Sequence, residues 1–273
     1  MAAPRLPMLA TLAAVLVACA TPAAPPSPRH HLGAVLGDSA AATTLEPAAG
    51  GRSESDRSQA QALVDAAAER RTHGDFFGAE TAAAEALRLD PGLAAGHAEW
   101  ALAAEALGRP VELVAAHYSL GARLAPDDAR AQLVEAAWHV RSGDGGRALE
   151  AIDRALRAEP KNAEALTRKG DVVLSQGAAA AALSYYQAAL ALEPNRVPAL
   201  VGMADAAERA GDLAAAEAAL RALIGELPEA TLYRSRLIAF LRRSGQVARA
   251  DAEQRLLDAK EPKDARKLRK LRR

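Results

Sequence analysis

A spacing of 34 residues recurs along most of this 273-residue chain. Two residue types follow it in step, and neighbours within each set are 34 or 35 residues apart. The glycines are Gly74, Gly108, Gly143, Gly177, Gly211 and Gly245, and the prolines are Pro91, Pro126, Pro160, Pro194, Pro228 and Pro262. Two markers that keep one period from residue 74 to residue 262 are typical of a stack of repeated units and not of a single globular core.

Small residues follow the same period. Alanine stands five residues after most of these glycines, and again seven residues further on in three of the units. These positions are Ala79, Ala148, Ala182, Ala216 and Ala250, and then Ala86, Ala155 and Ala189. Only 3% of the chain is aromatic, whereas β-sandwiches and β-barrels need many aromatic and β-branched side chains. Helices that pack closely through alanine contacts therefore fit the composition better.

Each marker has a physical role in a helical hairpin. Glycine reaches the left-handed conformation without a steric penalty, so it can end a first helix. Proline cannot donate the helical hydrogen bond, so it closes a second helix. One hairpin alone cannot cover its apolar face, and stacking hairpins buries a continuous core.

The best-matching unit has Leu166, Gly170, Gly177, Ala182, Tyr186, Ala189 and Pro194 in the pattern of the tetratricopeptide repeat. The chain resembles that family over residues 58–262, and the resemblance implies an all-α fold, a right-handed α-solenoid of six helix-turn-helix repeats. The second unit departs from the pattern, because it has one extra residue, Pro110 in its turn, and Val114 and Gly121 where alanines are expected. Four large aromatic residues are predicted to fill gaps between helices: Trp100, Trp138, Tyr185 and Tyr186.

The resemblance also implies that a protein partner binds along the concave face, which the first helix of each repeat lines. Apolar residues flanked by charges suit an extended peptide or a helix. The expected lining residues are Arg130, Leu133, Val134, Ala137, Val140 and Arg141 in the third repeat, Glu164, Thr167, Arg168 and Asp171 in the fourth, Asp205 and Arg209 in the fifth, and Arg236, Arg242 and Arg243 in the sixth.

The sequence contains no zinc-protease, Walker or serine-hydrolase motif. We therefore expect no enzyme activity, cofactor or metal. Bound nucleic acid is not expected either, because the export signal described below directs the chain out of the cytoplasm. The glycine-rich stretch 143–146 is interpreted as the turn of the third repeat. Four histidines are interpreted as scattered over different repeats and sharing no metal: His73, His97, His117 and His139. The single cysteine excludes an intrachain disulfide framework.

An export signal precedes the repeats. Arg5 supplies a positive charge, and residues 9–17 form an apolar run that is too short to span a bilayer. The run ends in Leu16-Val17-Ala18-Cys19, which resembles a bacterial lipobox. That resemblance implies cleavage after Ala18, lipidation of Cys19 and, with Ala20 in the next position, sorting to the periplasmic face of the outer membrane. The alternative is cleavage at Ala18-Cys19-Ala20 by the ordinary signal peptidase, which would leave a soluble periplasmic protein.

The segments on either side of the repeats are polar or charged. Residues 19–57 are rich in proline and alanine and are predicted to form a disordered tether, in which His30 and His31 are interpreted as a solvated pair. Residues 58–262 contain 23 basic and 29 acidic side chains, whereas residues 263–273 contain seven basic and one acidic. This basic tail is predicted either to cap the last apolar face as a short helix or to bind an anionic surface.

These features predict a non-enzymatic scaffold, anchored in the cell envelope by a lipid, that binds other proteins. Six repeats behind a lipobox resemble the pilotin-type lipoproteins of type IV pili, and the resemblance implies a role in inserting and multimerising a secretin. The alternatives are a tight-adherence pilus lipoprotein, an adaptor for peptidoglycan enzymes and, from a different class, an accessory subunit of an enzyme.

Overall fold

The computed structural model describes residues 53–260, and this range contains twelve α-helices and no strand. In chain order they are α1 (Glu54–Thr72), α2 (Phe76–Leu89), α3 (Ala94–Ala106), α4 (Val111–Leu124), α5 (Ala129–Arg141), α6 (Gly145–Ala158), α7 (Ala163–Ser175), α8 (Ala179–Leu192), α9 (Val197–Ala210), α10 (Leu213–Glu226), α11 (Thr231–Arg243) and α12 (Val247–Lys260). The predicted signal peptide, Cys19, most of the tether, Pro262 and the basic tail lie outside the described residues.

A left-handed glycine separates the two helices of every hairpin. The six periodic glycines have φ between 66° and 87°, and no other residue of the described range has a positive φ. Gly211, for example, caps α9 with φ 79°, and its N–H donates to the carbonyls of Ala207 and Glu208. Because only glycine adopts this conformation without strain, the predicted end of each first helix is confirmed.

The second helix of each of the first five hairpins ends just before a periodic proline. Helices α2, α4, α6, α8 and α10 each stop two residues before their proline. The intervening residue is extended, as Glu159 shows with φ −132° and ψ 87°, because a following proline disfavours the helical conformation. The proline marker therefore predicted these five helix ends correctly.

Consecutive helices pack against each other throughout the described range, and buried alanines are prominent among the contacts. All eight periodic alanines, from Ala79 to Ala250, have 0% exposed surface. Trp100, Trp138 and Tyr186 are also buried, as predicted from the sequence. Tyr185 differs, because it is half-buried and its ring lies 4.9 Å from the ammonium nitrogen of Lys169.

Two features depart from the regular pattern. Helix α1 begins at Glu54, four residues before the predicted start of the repeats at residue 58, because the hydroxyl of Ser53 accepts a hydrogen bond from Asp56 N–H and caps the helix. In the second repeat, Pro110 stands at the start of α4. Gly121 lets α4 approach α3 closely, since a Cβ at this position would lie 3.1 Å from the Ala94 carbonyl oxygen.

Candidate functional site

The first helices of neighbouring repeats contact each other as well as their own hairpin partners. Such contacts join α1 to α3, α3 to α5, α5 to α7 and α7 to α9, and an ion pair between Arg236 and Glu208 joins α11 to α9. The exposed sides of these six odd-numbered helices therefore follow one another along the stack, and we call them the groove face. All the lining residues that the sequence predicts belong to α5, α7, α9 or α11.

A pocket of about 500 Å³ opens on the groove face across repeats two to four. Its apolar part consists of Leu102, Leu133, Val134 and Ala137, and its polar part of Arg130, Arg141, Glu159, Asn162, Glu164 and Arg168. Seven of the predicted lining residues thus lie together around one cavity. The cavity thus combines apolar side chains with charged ones, which is the combination that suits an extended peptide or a helix.

Arg130 differs from the other two arginines of the pocket. Its side chain is exposed, and its guanidinium makes no hydrogen bond or ion pair with any residue in the range 53–260. Arg168 bonds Glu164 one turn earlier in α7, with Nη2 to Oε1 at 2.7 Å. Arg130 can therefore form a new ion pair without first breaking an old one.

Arg141 instead connects two repeats. Its Nε and Nη2 each lie 2.7 Å from a carboxylate oxygen of Glu105 on α3, and the Tyr118 hydroxyl donates to the same carboxylate at 2.8 Å. The hydrogen bonds to Glu105 raise the pKa of Arg141. Burial alone would raise the pKa of Glu105, but the bonds from Arg141 and Tyr118 outweigh it and hold this pKa below its usual range. The pair is therefore charged at neutral pH and fixes α3 against α5.

A second group of ion pairs connects repeats five and six. Arg236 on α11 bonds both Asp205 and Glu208 on α9, and Arg243 lies 2.8 Å from a second oxygen of Glu208. Burial lowers the pKa of Arg236, but the two carboxylates more than compensate and raise it. Three predicted lining residues, Asp205, Arg236 and Arg243, thus have partners within the stack.

The remaining predicted residues are divided between exposed and buried positions. Val140 is 51% exposed, Arg242 and Arg209 are exposed, and the Asp171 carboxylate accepts a hydrogen bond from the Tyr186 hydroxyl at 2.7 Å. Thr167 is only 3% exposed, and its hydroxyl donates to the Ala163 carbonyl at 2.7 Å. Its side chain therefore belongs to the packing of α7 and is not open to a partner.

The sequence did not identify three residues of the pocket. Leu102 comes from α3, and Glu159 and Asn162 come from the turn between α6 and α7. A signal for Leu102 existed, because it lies six residues before Gly108, just as Ala137 lies six residues before Gly143. No periodic marker distinguishes the turn residues.

The expectation that the four histidines are scattered over different repeats is wrong for one pair. His97 and His117 lie in the same repeat, and their Nδ1 atoms are 3.1 Å apart in the interior.

The glycine-rich stretch 143–146 is a turn, as predicted, with Gly143 at φ 77° and Asp144 as the N-cap of α6. Within residues 53–260, no three His, Cys, Asp or Glu side chains are grouped so that they could hold a metal ion. Nor is any helix of this range both long and apolar enough to cross a membrane.

Comparison with protein families matches the central part of the chain to a known repeat. Two models described as tetratricopeptide repeat match residues 135–196 and 173–239. No curated protein matches the chain.

Solved structures extend the likeness over most of the chain. PilF of Pseudomonas aeruginosa is 17% identical with a TM-score of 0.65, and the match covers 77% of this chain and 95% of PilF. PilW, a type IV pilus biogenesis factor, is 19% identical with a TM-score of 0.63 and coverage of 74% and 93%. A tetratricopeptide repeat protein from Parabacteroides merdae is 19% identical with a TM-score of 0.58 and coverage of 75% and 81%. The described residues therefore have the all-α solenoid fold of tetratricopeptide repeat proteins.

Proposed function

We propose that this protein is a non-enzymatic scaffold of the cell envelope that binds a protein partner on its groove face. The observation that carries the proposal is the pocket of repeats two to four, where an uncommitted guanidinium at Arg130 stands beside apolar side chains. Tetratricopeptide repeats generally mediate protein–protein interaction, and an extended segment with an apolar and an acidic side chain fits this chemistry.

We further propose that the scaffold serves assembly of a type IV pilus, as a secretin pilotin lipid-anchored at Cys19 on the periplasmic face of the outer membrane. Two features support this role: the lipobox-like sequence ending at Cys19 and the shared fold of PilF and PilW. Tight-adherence pili and peptidoglycan enzymes are the alternative clients of the same surface.

The groove is tested by reversing the charge of Arg130. In cells that carry Arg130→Glu, we expect fewer secretin multimers and more monomers at unchanged scaffold level, because the substituted carboxylate repels an acidic partner. Arg157→Glu is the matched control, since Arg157 is also exposed and has no partner within residues 53–260 but belongs to the even helix α6. Multimers that persist in a full deletion strain would reject the pilus role, whereas equal effects of the two variants would reject the groove.

The anchor is tested separately. Cys19→Ser is expected to abolish incorporation of labelled fatty acid and to move the protein from the outer-membrane fraction to the soluble periplasmic fraction. Unchanged labelling would contradict lipidation, and unlabelled wild-type protein in the soluble fraction would support ordinary signal-peptidase cleavage.

A further inference from the structure

The second repeat contains a buried pair of imidazoles between its two helices. His97 on α3 and His117 on α4 are each 5% exposed, and the His117 ring stacks on Trp100 with centroids 4.0 Å apart. The fifth repeat has Leu200 and Ala219 at the two matching positions, eleven residues before the periodic glycine and nine before the periodic proline. The array can therefore be built with apolar residues at this contact, and repeat two has titratable ones instead.

The hydrogen-bond pattern allows one proton between the Nδ1 atoms of the two rings. His97 Nε2–H donates to the Pro91 carbonyl at 3.0 Å, so His97 Nδ1 has a lone pair and accepts from His117 Nδ1–H at 3.1 Å. His117 Nε2 is then an acceptor that is buried without a partner in the described range. The Trp100 indole N–H, a donor, is likewise buried without a partner there. A further proton must either break the Nδ1 contact or create a buried cation at His117 Nε2.

Within residues 53–260, neither ring forms a hydrogen bond or an ion pair with a carboxylate. Carboxylates on α3 itself, and on α2 and α5, which pack against α3, bond arginines instead, and Glu135 also lies 3.8 Å from the buried His139. These pairs are Arg71 with Glu99, Glu80 with Arg109, Glu105 with Arg141, and Glu135 with Arg154. Burial accordingly lowers the pKa of His97, and burial together with the charge of His97 lowers the pKa of His117 to about 3.

We propose that the His97–His117 pair is an acid-sensitive latch that holds α3 against α4 at neutral pH and releases them in acid. Release of α3 and α4 would change the groove face, because both helices contribute side chains to the pocket or to the ion pair beside it. Helix α3 supplies Leu102 to the pocket and Glu105 to the pair with Arg141, and α4 supplies the Tyr118 hydroxyl to the same carboxylate. Opening of this hairpin therefore removes one wall of the pocket; only this consequence rests on the proposed function.

The direction of the pH effect follows from proton linkage. Both histidines bind a proton more weakly in the closed hairpin than in the open one, so the latch is fully closed above about pH 6.5 and weakens as pH falls. The opening equilibrium constant rises by up to tenfold per pH unit for each histidine. Between pH 7.5 and pH 5, His117 alone contributes roughly a 30-fold increase.

Hydrogen exchange of the full-length protein tests the latch without any partner. After correction for the pH dependence of intrinsic exchange, peptides of α3 and α4 are expected to lose at least 30-fold protection between pH 7.5 and pH 5, whereas peptides of α9 and α10 in repeat five keep theirs. Equal loss in both repeats, or unchanged protection of α3 and α4, would overturn the proposal.

Variants give a second, independent readout. The double variant His97→Leu, His117→Ala copies repeat five and is expected to abolish the extra loss of protection in α3 and α4. His73→Gln, which removes an exposed imidazole from the end of α1, is expected to keep it. If the double variant folds poorly, each ring can be followed in the wild-type protein by NMR. Titration of both rings near pH 6.5 with the hairpin intact would overturn the latch.

Discussion

One side chain holds three helices at a fixed separation in the fourth and fifth repeats. Tyr186 on α8 is 0% exposed, and its ring lies between Gly170 of α7 and Gly202 of α9. A Cβ built on Gly170 would lie 2.7 Å from the ring, and one on Gly202 would lie closer still. Because interiors are close-packed, these two glycines provide the space that the ring occupies.

Gly202→Ala is therefore expected to destabilise the protein by about 1–3 kcal/mol, because the ring or the helix must move to accept the methyl group. Gly225→Ala in α10 is the matched control, since a Cβ there meets nothing within 4 Å. That substitution should stabilise the protein by up to about 1 kcal/mol through helix propensity alone. Urea denaturation measures both changes, and a stabilising Gly202→Ala would show that the ring relaxes at no cost.

The charged residues of the groove face show what sequence reasoning could not reach at this scale. Counting from the periodic glycines placed Arg141 and Arg236 on the correct helices. Their partners, Glu105 and Glu208, lie 36 and 28 residues earlier, and neither separation equals the period. The pairing depends on the rotation between stacked helices, which no marker in the sequence encodes. Residues expected to meet a partner therefore turned out to connect repeats.

At the scale of the helix, the residue after the left-handed glycine decides whether the next helix has a side-chain N-cap. Asp75, Asp144 and Asp212 each follow that glycine directly, and their carboxylates accept the backbone N–H three residues later at 2.9–3.0 Å. Ala178 occupies the same position before α8 with φ −84° and ψ 64°, but it offers no side-chain cap. Its backbone resembles that of Asp144, at φ −92° and ψ 76°.

Ala178→Asp is accordingly expected to stabilise the protein by about 1 kcal/mol, because the carboxylate caps α8 and interacts favourably with the helix dipole. The reciprocal change, Asp144→Ala, should cost a similar amount at the start of α6. Denaturation midpoints at equal protein concentration measure both. No gain from Ala178→Asp, together with the expected loss from Asp144→Ala, would mean that the backbone before α8 cannot present the carboxylate.

Neighbouring hairpins are also joined through their turns. Arg109, in the turn between α3 and α4, bonds Glu80 on α2 through Nε at 2.8 Å and Nη2 at 2.6 Å, and Glu80 is only 8% exposed. The hydrogen bonds to Glu80 raise the pKa of Arg109. Because the Glu80 carboxylate is largely shielded from water, the guanidinium of Arg109 stabilises its charge.

Arg109→Ala is expected to cost about 2–3 kcal/mol, because it leaves a buried carboxylate unpaired. Arg88→Ala removes an arginine that is 66% exposed and 3.9 Å from Glu85, and should change stability by less than about 0.5 kcal/mol. Adding Glu80→Gln to Arg109→Ala should recover part of the loss. Equal costs for the two arginine variants would contradict the importance of burial.

For the whole molecule, the period predicted the architecture because each marker is fixed by local chemistry: a left-handed turn, a helix stop or a contact between helices. The same period could not predict features that occur in one repeat only. The second repeat contains His97 and His117 at positions that are apolar in the fifth, and only the packing of α3 on α4 shows that they meet. Ser53 and Asp56 form a cap that extends α1, but they precede the first marker and were assigned to the tether.

A stack of repeats must end in a surface that water can cover, and α12 already provides one. Only Ala250, Glu253 and Leu257 of its described side chains are buried, and Leu256 is 54% exposed. Deletion of residues 261–273 should therefore change the free energy of unfolding by less than about 0.5 kcal/mol. Deletion of residues 246–273 should be far more costly, since it uncovers Leu237 and Leu241, both 0% exposed. A tail deletion that costs more than about 1 kcal/mol would instead assign the capping role to the basic tail.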